Sequence, residues 1–411
     1  MKRPALLFWC QHSLGLGHLV RSLALAEALR DRFDVILLNG GRFPGGMHTP
    51  DGVTVVNLVP LGHDDSYELV THDPDHDVES AKRHRIATIL ATIERHRPAV
   101  VLLELYPFGR KKFAFELDPM LAAIDAFGAH RPKVVCSVRD ILVNQRHDQA
   151  RHDERAARVA NAHLDAILVH SDPAFASLYE SFAPATPLEV PVYHTGFVTS
   201  RPTPVPAGEH RQARVIVSSG GGMVGEPIVR AAVAAHRRVC VTTGLTTTIV
   251  AGPFLPDHIW EWLVEEAAHS PWLDVTRQVA DLAGEIRRSA VSVSQCGYNT
   301  TMDLLRAGTP SVVIPYSDGK EDEQRRRADR LAALGVLTSI DAAELGPDRL
   351  AAAIAAARDA TPAPAPFSLD GADISARIIA ELAGLATPDL TTPDLTTPAP
   401  SRPAALFRGV A

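Results

Sequence analysis

Cysteine is scarce in this chain of 411 residues, which contains only four. No pair has the Cys-x-x-Cys spacing that is typical of structural zinc sites and redox motifs. Neither a disulfide framework nor a structural zinc site is therefore expected, and the composition fits a reducing, cytoplasmic location. The cysteines are Cys10, Cys136, Cys240 and Cys296.

Long apolar runs and an excess of positive charge are also missing. The first apolar run, residues 5–10, is too short for a signal sequence, and no stretch approaches the roughly 20 apolar residues that span a bilayer. The formal net charge is −7, with 41 Lys and Arg against 48 Asp and Glu, so nothing indicates a nucleic-acid-binding protein. We expect a soluble protein, for which peripheral contact with a membrane-bound substrate remains open.

Two common phosphate-binding motifs are absent, although a glycine-containing loop follows the first apolar run. No GxxxxGK[ST] sequence occurs, and Val20 stands where the third glycine of a GxGxxG motif would fall. Gly15 and Gly17 still permit a tight turn with a close backbone approach. His18 follows them at the start of a predicted helix, where it can take up a proton near neutral pH. It is a candidate general base; the alternative is a capping or packing histidine.

Apolar β-like runs alternate with helical patterns in the first half of the chain, which predicts a doubly wound α/β fold with a parallel sheet. The length of 411 residues suggests two domains, each with its own core. The predicted strands of the first lobe, residues 1–198, are 5–10, 33–38, 53–59, 99–105, 133–138 and 166–170, and its predicted helices are 19–30, 78–97, 113–127 and 148–162.

A proline-rich, polar segment over residues 199–212 has the composition of a linker. A second βα series then predicts a second doubly wound lobe over residues 213–385, and Thr-Pro-Asp-Leu-Thr repeats predict a disordered tail over 386–411. Because ligands of open α/β sheets bind beyond the carboxyl ends of the strands, two such lobes facing one another would enclose a central cleft. The predicted strands of the second lobe are 214–218, 237–242, 290–294, 311–314 and 336–339, and its predicted helices are 256–269, 279–288, 321–334 and 372–385.

A run of three glycines follows the first strand of the second lobe. Ser219 precedes Gly220, Gly221 and Gly222, in the position that the glycine-containing loop occupies in the first lobe. Backbone N–H groups in such a loop can surround an anion such as a diphosphate, whereas a packing reason for three glycines is not evident. A flexible loop is the alternative. Gly244 marks another predicted strand-end turn with a weaker functional signal.

The segment from Ala290 to Asp303 predicts a strand, a turn at Gly297 and the first turns of a helix, with Gln295 between the strand and the turn. A helix N-terminus offers free N–H groups and partial positive charge, which suits a phosphate near Asn299 and Thr300. Asp303 can accept hydrogen bonds from a ribose diol. An ordinary βαβ unit with a polar cap is the alternative interpretation.

Several other polar groups follow predicted strands. Gln324 opens a helix and can hydrogen-bond a sugar hydroxyl. Arg110 and Arg139 lie at strand ends of the first lobe, where they could meet an anionic group, although a surface role is equally plausible. Residues 62–79 contain three histidines and seven acids, yet Pro74 interrupts them and acids dominate, so a polar surface loop is favoured and no metal site is predicted.

The two lobes over residues 2–384 resemble the GT-B glycosyltransferases related to MurG, most specifically over residues 294–335. The resemblance implies that Asp303 binds the nucleotide ribose, although the family more often has glutamate there. It implies that the Gly220–Gly222 loop holds the donor diphosphate, that Gln324 lies near the donor sugar, and that His18 serves as base or orients the acceptor.

The reaction implied by the resemblance is inverting, metal-independent transfer of a sugar from a nucleotide-diphosphate donor, such as UDP-N-acetylhexosamine, to a hydroxyl acceptor. No cofactor is implied, because the nucleotide sugar is a substrate. The expected donor-binding residues are Ser219, Gly220, Gly221, Gly222, Gly244, Gln295, Gly297, Asn299, Thr300, Asp303 and Gln324, and the expected acceptor-side residues are Gly15, Gly17, Arg21, Arg110 and Arg139.

The loop from Gly15 to Leu23 is also similar to that of the UDP-sugar hydrolase of pseudaminic acid synthesis, in which the histidine activates water. That enzyme is considerably shorter than this chain, and the extra length favours an acceptor larger than water. A nucleotide-sugar hydrolase or epimerase remains an alternative function. A non-catalytic nucleotide-sugar-binding protein is another.

Overall fold

The computed structural model describes residues 3–12, 16–44, 47–64, 66, 68–143, 146–201, 210–316 and 322–385. The chain divides into two compact units, one of residues 1–200 with 367–411 and one of residues 201–366. The predicted tail over 386–411 and most of the predicted linker, 202–209, lie outside the described residues.

A seven-stranded parallel sheet forms the centre of the first unit. The strands of the first unit are β1 (Ala5–Cys10), β2 (Asp34–Asn39), β3 (Val53–Asn57), β4 (Leu61–His63), β5 (Leu69–Thr71), β6 (Val100–Glu104), β7 (Lys133–Arg139), β8 (Ala166–His170) and β9 (Val192–His194). The sheet order is β3-β2-β1-β6-β7-β8-β9. Strands β4 and β5 pair separately and antiparallel, so residues 62–79 include part of a small hairpin rather than only the predicted surface loop.

Both faces of this sheet are buried, as the continuous apolar runs predicted. Successive side chains of a strand point to opposite faces. Accordingly Leu6 and Phe8 of β1 join one hydrophobic cluster, and Leu7 and Trp9 join the other. The helices of this part of the chain are α1 (Gly17–Leu29), α2 (Val78–His96), α3 (Ala114–Asp125) and α4 (Gln149–His163).

The second unit is built on a six-stranded parallel sheet. Its strands are β10 (Gln212–Ser218), β11 (Thr246–Val250), β12 (Leu273–Thr276), β13 (Ser289–Ser294), β14 (Ser311–Val313) and β15 (Thr338–Ser339), in the order β12-β11-β10-β13-β14-β15. Its helices are α5 (Glu226–Thr243), α6 (Asp257–Ala268), α7 (Leu282–Arg288), α8 (Tyr298–Ala307), α9 (Glu323–Ala333) and α10 (Pro347–Asp359). Valines of β10 and β13 are fully buried between these layers.

The predicted strand 237–242 is wrong, because these residues form the last turns of α5. The β-branched residues around Cys240 favour a strand locally, but Val229, Val233 and Val239 lie on a helical face that is buried in the core. The true next strand, β11, is rich in threonine and was therefore overlooked.

The last described helix, α11 (Gly371–Leu382), confirms the prediction of a C-terminal helix over 372–385. Its Ile378 and Ile379 are buried in the same cluster as Leu23 and Leu25 of α1. Residues 367–385 therefore group with the first unit, and not with the second lobe as predicted. Within the described ranges, no helix has the length and apolarity required to cross a membrane.

Candidate functional site

His18 and Glu104 form the centre of the candidate site in the first unit. The Nδ1 atom of His18, near the start of α1, lies 2.6 Å from Oε1 of Glu104, which ends β6. Glu104 is fully buried, whereas the side chain of His18 keeps 23% of its surface exposed. A buried carboxylate thus holds one edge of an imidazole that is partly exposed.

Two arginines share the carboxylate with His18. Arg21 donates from Nη2 to Glu104 Oε1 over 2.5 Å, and Arg110 donates to Glu104 Oε2 over 3.3 Å. Burial alone would raise the pKa of Glu104, but His18, Arg110 and Arg21 outweigh it and hold the pKa of that carboxyl well below its usual range. Burial, together with the positive charge of Arg110, lowers the pKa of His18 to about 3 despite Glu104.

The electrostatics indicate the protonation state of the pair. A negative Glu104 accepts a hydrogen bond, so a neutral His18 carries its proton on Nδ1 and donates it to the carboxylate. In the part of the chain that the structure describes, no group hydrogen-bonds the other ring nitrogen, Nε2. Nε2 is then a free acceptor, which is one requirement for a general base.

The turn after β6 places Glu104 and Arg110 beside the histidine. Leu105 has φ +66° and Arg110 has φ +59°, a backbone region that residues other than glycine seldom adopt. The amide of Gly109 donates to the carbonyl of Leu105 over 2.8 Å and closes the turn. This tight, strained turn brings Arg110 back over the carboxyl end of β6.

Glu104 was not among the predicted site residues. Its signal was present, because a lone acid ends the apolar run Val100–Glu104 and the carboxyl end of a buried strand is where ligands bind. Of the other predicted acceptor-side residues, Gly17 begins α1, and Arg139 ends β7, the neighbour of β6, at the same sheet edge. Gly15 lies outside the described residues.

The glycine loop of the second unit follows β10, as predicted. Gly220 and Gly222 have φ values of +62° and +95°, which favour glycine. A Cβ on Gly222 would lie 2.6 Å from the backbone nitrogen of Leu255, and a Cβ on Gly252 would lie 2.6 Å from the nitrogen of Gly222. The prediction that packing does not require these glycines is wrong, because the loops after β10 and β11 contact each other backbone to backbone.

The amides of this loop are not all available to an anion. The amide of Gly222 donates to the carbonyl of Ser219, and that of Gly220 donates to the hydroxyl of Ser218 over 3.3 Å. The hydroxyl of Ser219 itself hydrogen-bonds the carbonyl of Ala251. Ser219 therefore fixes the loop instead of facing a ligand, and the number of amides that can contact a diphosphate is smaller than predicted.

Helix α8 begins beside this loop. Gly297 is its N-terminal cap residue with extended backbone, and the side chain of Gln295 donates to the carbonyl of Val224 over 3.0 Å, which ties the two loops together. Asn299 and Thr300 lie in the first turn, and Asp303 follows them by four and three residues on the same side of the helix. The amide end of α8 and its first polar face thus meet at the carboxyl edge of the sheet.

Asp303 is desolvated and lies near a second carboxylate, that of Asp281. Burial, and then the neighbouring Asp281 that caps α7, raise the pKa of Asp303 to about 7, while Arg306 opposes the shift. A carboxyl in this setting lacks solvation and gains from donors that approach it, as ribose hydroxyls would.

Gln324 joins two loops at the same edge. Its Oε1 accepts hydrogen bonds from the amides of Cys296 at 3.1 Å and Tyr316 at 3.2 Å. This use of the carbonyl oxygen orients the side-chain amide and leaves Nε2 as the group that can meet a ligand. Arg327, one turn later, donates to the carbonyl of Cys296 over 2.7 Å and further fixes the turn.

Gly244 lies apart from these groups. It ends α5 with φ +75° and precedes the amino end of β11, so it is a helix cap at the opposite edge of the sheet. A cavity of about 240 Å³ also lies at that opposite edge, where Leu304, Leu305 and Gly308 at the end of α8 meet Val336. Its apolar lining and its position separate it from the loops that carry Asp303 and Gln324. Among the described residues, no group of three or more His, Cys, Asp and Glu could hold a metal ion.

Solved structures share the fold of nearly the whole chain. A calicheamicin glycosyltransferase aligns with a TM-score of 0.56 and 15% identity over 93% of this chain and 97% of its own. MurG of Acinetobacter baumannii aligns with a TM-score of 0.53 and 13% identity over 92% of this chain and 100% of its own. A Listeria monocytogenes protein assigned as a UDP-N-acetylglucosamine 2-epimerase aligns with a TM-score of 0.57 and 12% identity over 95% of this chain and 99% of its own. The chain therefore has the GT-B fold, with two Rossmann-like lobes. Transferases and an epimerase share it, so the fold does not decide the reaction.

Residues 252–373 match the glycosyltransferase family 28 C-terminal domain, a segment that includes Asp303 and Gln324 but neither His18 nor the Gly220–Gly222 loop. Curated relatives are UDP-N-acetylglucosamine–N-acetylmuramyl-(pentapeptide) pyrophosphoryl-undecaprenol N-acetylglucosamine transferases. The Methylorubrum extorquens (strain PA1) protein is 32% identical over 111 residues, 25% of this chain and 30% of its own length. The Rippkaea orientalis protein is 35% identical over 74 residues, 18% and 21% of the two chains. The chain thus aligns with less than a third of either relative, and residues 252–373 are similar to the C-terminal domain of glycosyltransferase family 28.

Proposed function

We propose that this protein is a metal-independent, inverting glycosyltransferase that acts on a UDP-N-acetylhexosamine or a related nucleotide-diphosphate sugar. The observation that carries the proposal is the His18–Glu104 pair, in which one ring nitrogen is fixed over 2.6 Å and the other is free to accept a proton. The match of residues 252–373 to a glycosyltransferase domain supports the donor class. We further propose that the acceptor is a hydroxyl on a membrane-associated molecule, and that the reaction takes place in the cytoplasm.

The first unit would supply the base. Nε2 of His18 accepts the proton of the acceptor hydroxyl while its oxygen attacks the anomeric carbon. The bond from that carbon to the β-phosphate oxygen breaks, and the nucleoside diphosphate leaves with the bonding electrons. Attack from the opposite face inverts the anomeric configuration. Glu104 stabilises the imidazolium as it forms, and the low pKa of His18 keeps its neutral form populated throughout the physiological range.

The second unit would supply the donor site. The amino end of α8 and, within the described part of the chain, the one remaining amide of the Gly220–Gly222 loop, that of Gly221, stabilise the charge that develops on the diphosphate, in the place of a metal ion. Asp303 accepts hydrogen bonds from the ribose hydroxyls. Nε2 of Gln324 is oriented by the two backbone contacts of its Oε1 and donates to a sugar hydroxyl.

A hydrolase or an epimerase of nucleotide sugars is the second candidate, favoured by the similarity of the loop around His18 to that of a UDP-sugar hydrolase. The same base would then activate water. The two functions share a donor site and differ in what His18 deprotonates.

Calorimetric titration with UDP and UDP-N-acetylglucosamine in the presence of EDTA tests the donor proposal. We expect binding that EDTA leaves unchanged. Asp303→Ala should weaken it roughly 10- to 100-fold, the effect of losing a hydrogen bond to a charged group. His18→Ala should bind the donor as the parent protein does. Binding that requires added Mg²⁺, or equal affinity of Asp303→Ala and the parent protein, would overturn the proposed donor site.

A further inference from the structure

A second buried ion pair lies in the first unit, apart from His18 and Glu104. Arg85 of α2 and Glu116 of α3 are both fully buried. Two parallel hydrogen bonds of 2.6 Å join them, from Nε to Oε2 and from Nη2 to Oε1. Such a pair costs desolvation energy, and apolar residues of equal volume often replace it without loss of stability. Its position therefore calls for an explanation other than stability.

All remaining donors of Arg85 are directed at loops that follow strands. Nη1 donates to the carbonyls of Gly40, after β2, and Val59, after β3, over 2.8 and 2.9 Å. Nη2 donates to Oε1 of Gln11, directly after β1, over 2.8 Å. With the two bonds to Glu116, the five N–H groups of the guanidinium are all used.

Gln11 carries these contacts further. Its Nε2 donates over 2.8 Å to the carbonyl of His12 and over 2.8 Å to that of Leu61, which begins β4. The loops are also packed too closely for side chains, since a Cβ on Gly40 would lie 2.1 Å from Oε1 of Gln11 and 2.8 Å from Nη2 of Arg85. The chain leaves β1 through Gln11 and His12 and enters α1 at Gly17, only a few residues later.

We propose that Arg85 is a positioning residue for the candidate base: it fixes the loops after β1, β2 and β3 so that the chain leaves β1 in the direction that brings His18 onto Glu104. The proposal rests on the proposed function in so far as His18 is the base. Arg85 acts at a distance, through Gln11 and His12, and contacts no reacting group.

The test is the double variant Arg85→Met with Glu116→Leu, which removes both charges and keeps the core volume. Histidine C2 hydrogen exchange, followed by mass spectrometry, reports the pKa of each histidine without any need for activity. We expect a cooperative unfolding transition at a lower melting temperature than that of the parent protein, because the carbonyls that Arg85 binds and the indole of Trp9, which donates to Oε1 of Glu116 over 2.9 Å, lose their partners. We also expect the pKa of His18 to return toward the ordinary histidine value. The fold decrease in kcat should be at least ten times the fold change in KM.

A matched control removes an arginine–carboxylate pair at the opposite edge of the same sheet. Arg131 hydrogen-bonds Asp165, which precedes β8, over 2.7 Å. The Arg131→Met variant should leave the His18 exchange profile and kcat as in the parent protein. If the double variant lacks a cooperative unfolding transition, the Gln11→Met variant tests the proposal in its place. It breaks the contact between Arg85 and the loop after β1 and leaves Arg85 paired with Glu116.

A folded double variant, or a folded Gln11→Met, that keeps the His18 profile and kcat of the parent protein overturns the proposal. If the His18 exchange profile shifts in the double variant but the parent protein itself transfers no sugar, the positioning role is supported and the proposed function is contradicted. The two proposals can therefore fail separately.

Discussion

Nδ1 of His18 lies 2.6 Å from Oε1 of Glu104, although the two residues are 86 positions apart in the chain. One stands at the start of α1 and the other at the end of β6, so the parallel sheet brings them together at its carboxyl edge. The carboxylate selects the tautomer of the imidazole and leaves Nε2 for a substrate proton. This arrangement is the basis of the predictions that follow.

Replacing Glu104 with glutamine should reduce both stability and activity. The change leaves the buried Arg21 without its carboxylate, which we expect to cost about 3–5 kcal/mol in the free energy of unfolding. Loss of the charge that stabilises the imidazolium should lower kcat roughly 10²- to 10⁴-fold. Chemical denaturation and steady-state kinetics measure the two effects. Glu94→Gln, in an exposed pair with Arg97, is the control and should change stability by about 0–1 kcal/mol. Equal effects of both changes would contradict the role of Glu104.

Removing the charge of Arg110 should move the acid limb of the pH–rate profile. In the proposed mechanism activity requires neutral His18 and is lost as the pH falls through its pKa, which burial and Arg110 lower to about 3. Because Arg110 lowers this pKa, Arg110→Gln should raise it, and activity should then decline at a higher pH. The exposed Lys111→Gln is the control for a general loss of charge. An acid limb that stays in place in Arg110→Gln would show that Arg110 does not set the pKa of His18.

The Gly222→Ala change should reduce stability and donor binding, whereas Gly221→Ala should leave both nearly unchanged. Gly222 has φ +95° and its Cβ would meet the backbone of Leu255 at 2.6 Å, so we expect a loss of about 1–2 kcal/mol or more, with weaker donor binding. At Gly221 the nearest atom is Cδ2 of Phe254, at 3.6 Å, which is ordinary contact. Thermal unfolding and UDP titration compare the pair. Similar melting temperatures would contradict the described packing of the loops.

Asp303 should make stability depend on pH. Its pKa rises from 3.8 to about 7 on folding, so between these values the folded protein holds a proton that the unfolded chain has released. The stability contribution is therefore fully present below pH 3.8 and is lost as the pH rises toward 7. Asp303→Asn should unfold at a higher temperature than the parent protein at pH 8 but not at pH 4. Parallel pH profiles of melting temperature would show that Asp303 is not desolvated.

The family resemblance implied the GT-B fold, and the sequence predicted two doubly wound α/β lobes because its strands are continuous apolar runs, as in β1, β6 and β8. It failed where local preference and tertiary packing disagree. Residues 237–242 look like a strand but complete α5, and the polar strand β11 does not look like one.

The candidate site was only partly predictable, because its contacts join distant segments. His18 and Asp303 follow recognisable motifs, but Glu104 became visible only when β6 placed it against α1. Arg85 and Glu116 lie on separate helices, and neither has a motif. The backbone contact between Gly222 and Gly252 depends on the pairing of β10 with β11, which no local pattern encodes.

The central claim is that His18 activates an acceptor hydroxyl for attack on a nucleotide sugar. The most direct test is the turnover of UDP-N-acetylglucosamine and other nucleotide sugars by the parent protein and His18→Ala, with and without hydroxyl acceptors, and with products identified by mass spectrometry. The account predicts little release of free sugar without an acceptor, transfer when a suitable hydroxyl is present, and loss of transfer in His18→Ala. Rapid release of free sugar and nucleotide without any acceptor would contradict it and identify water as the substrate of His18.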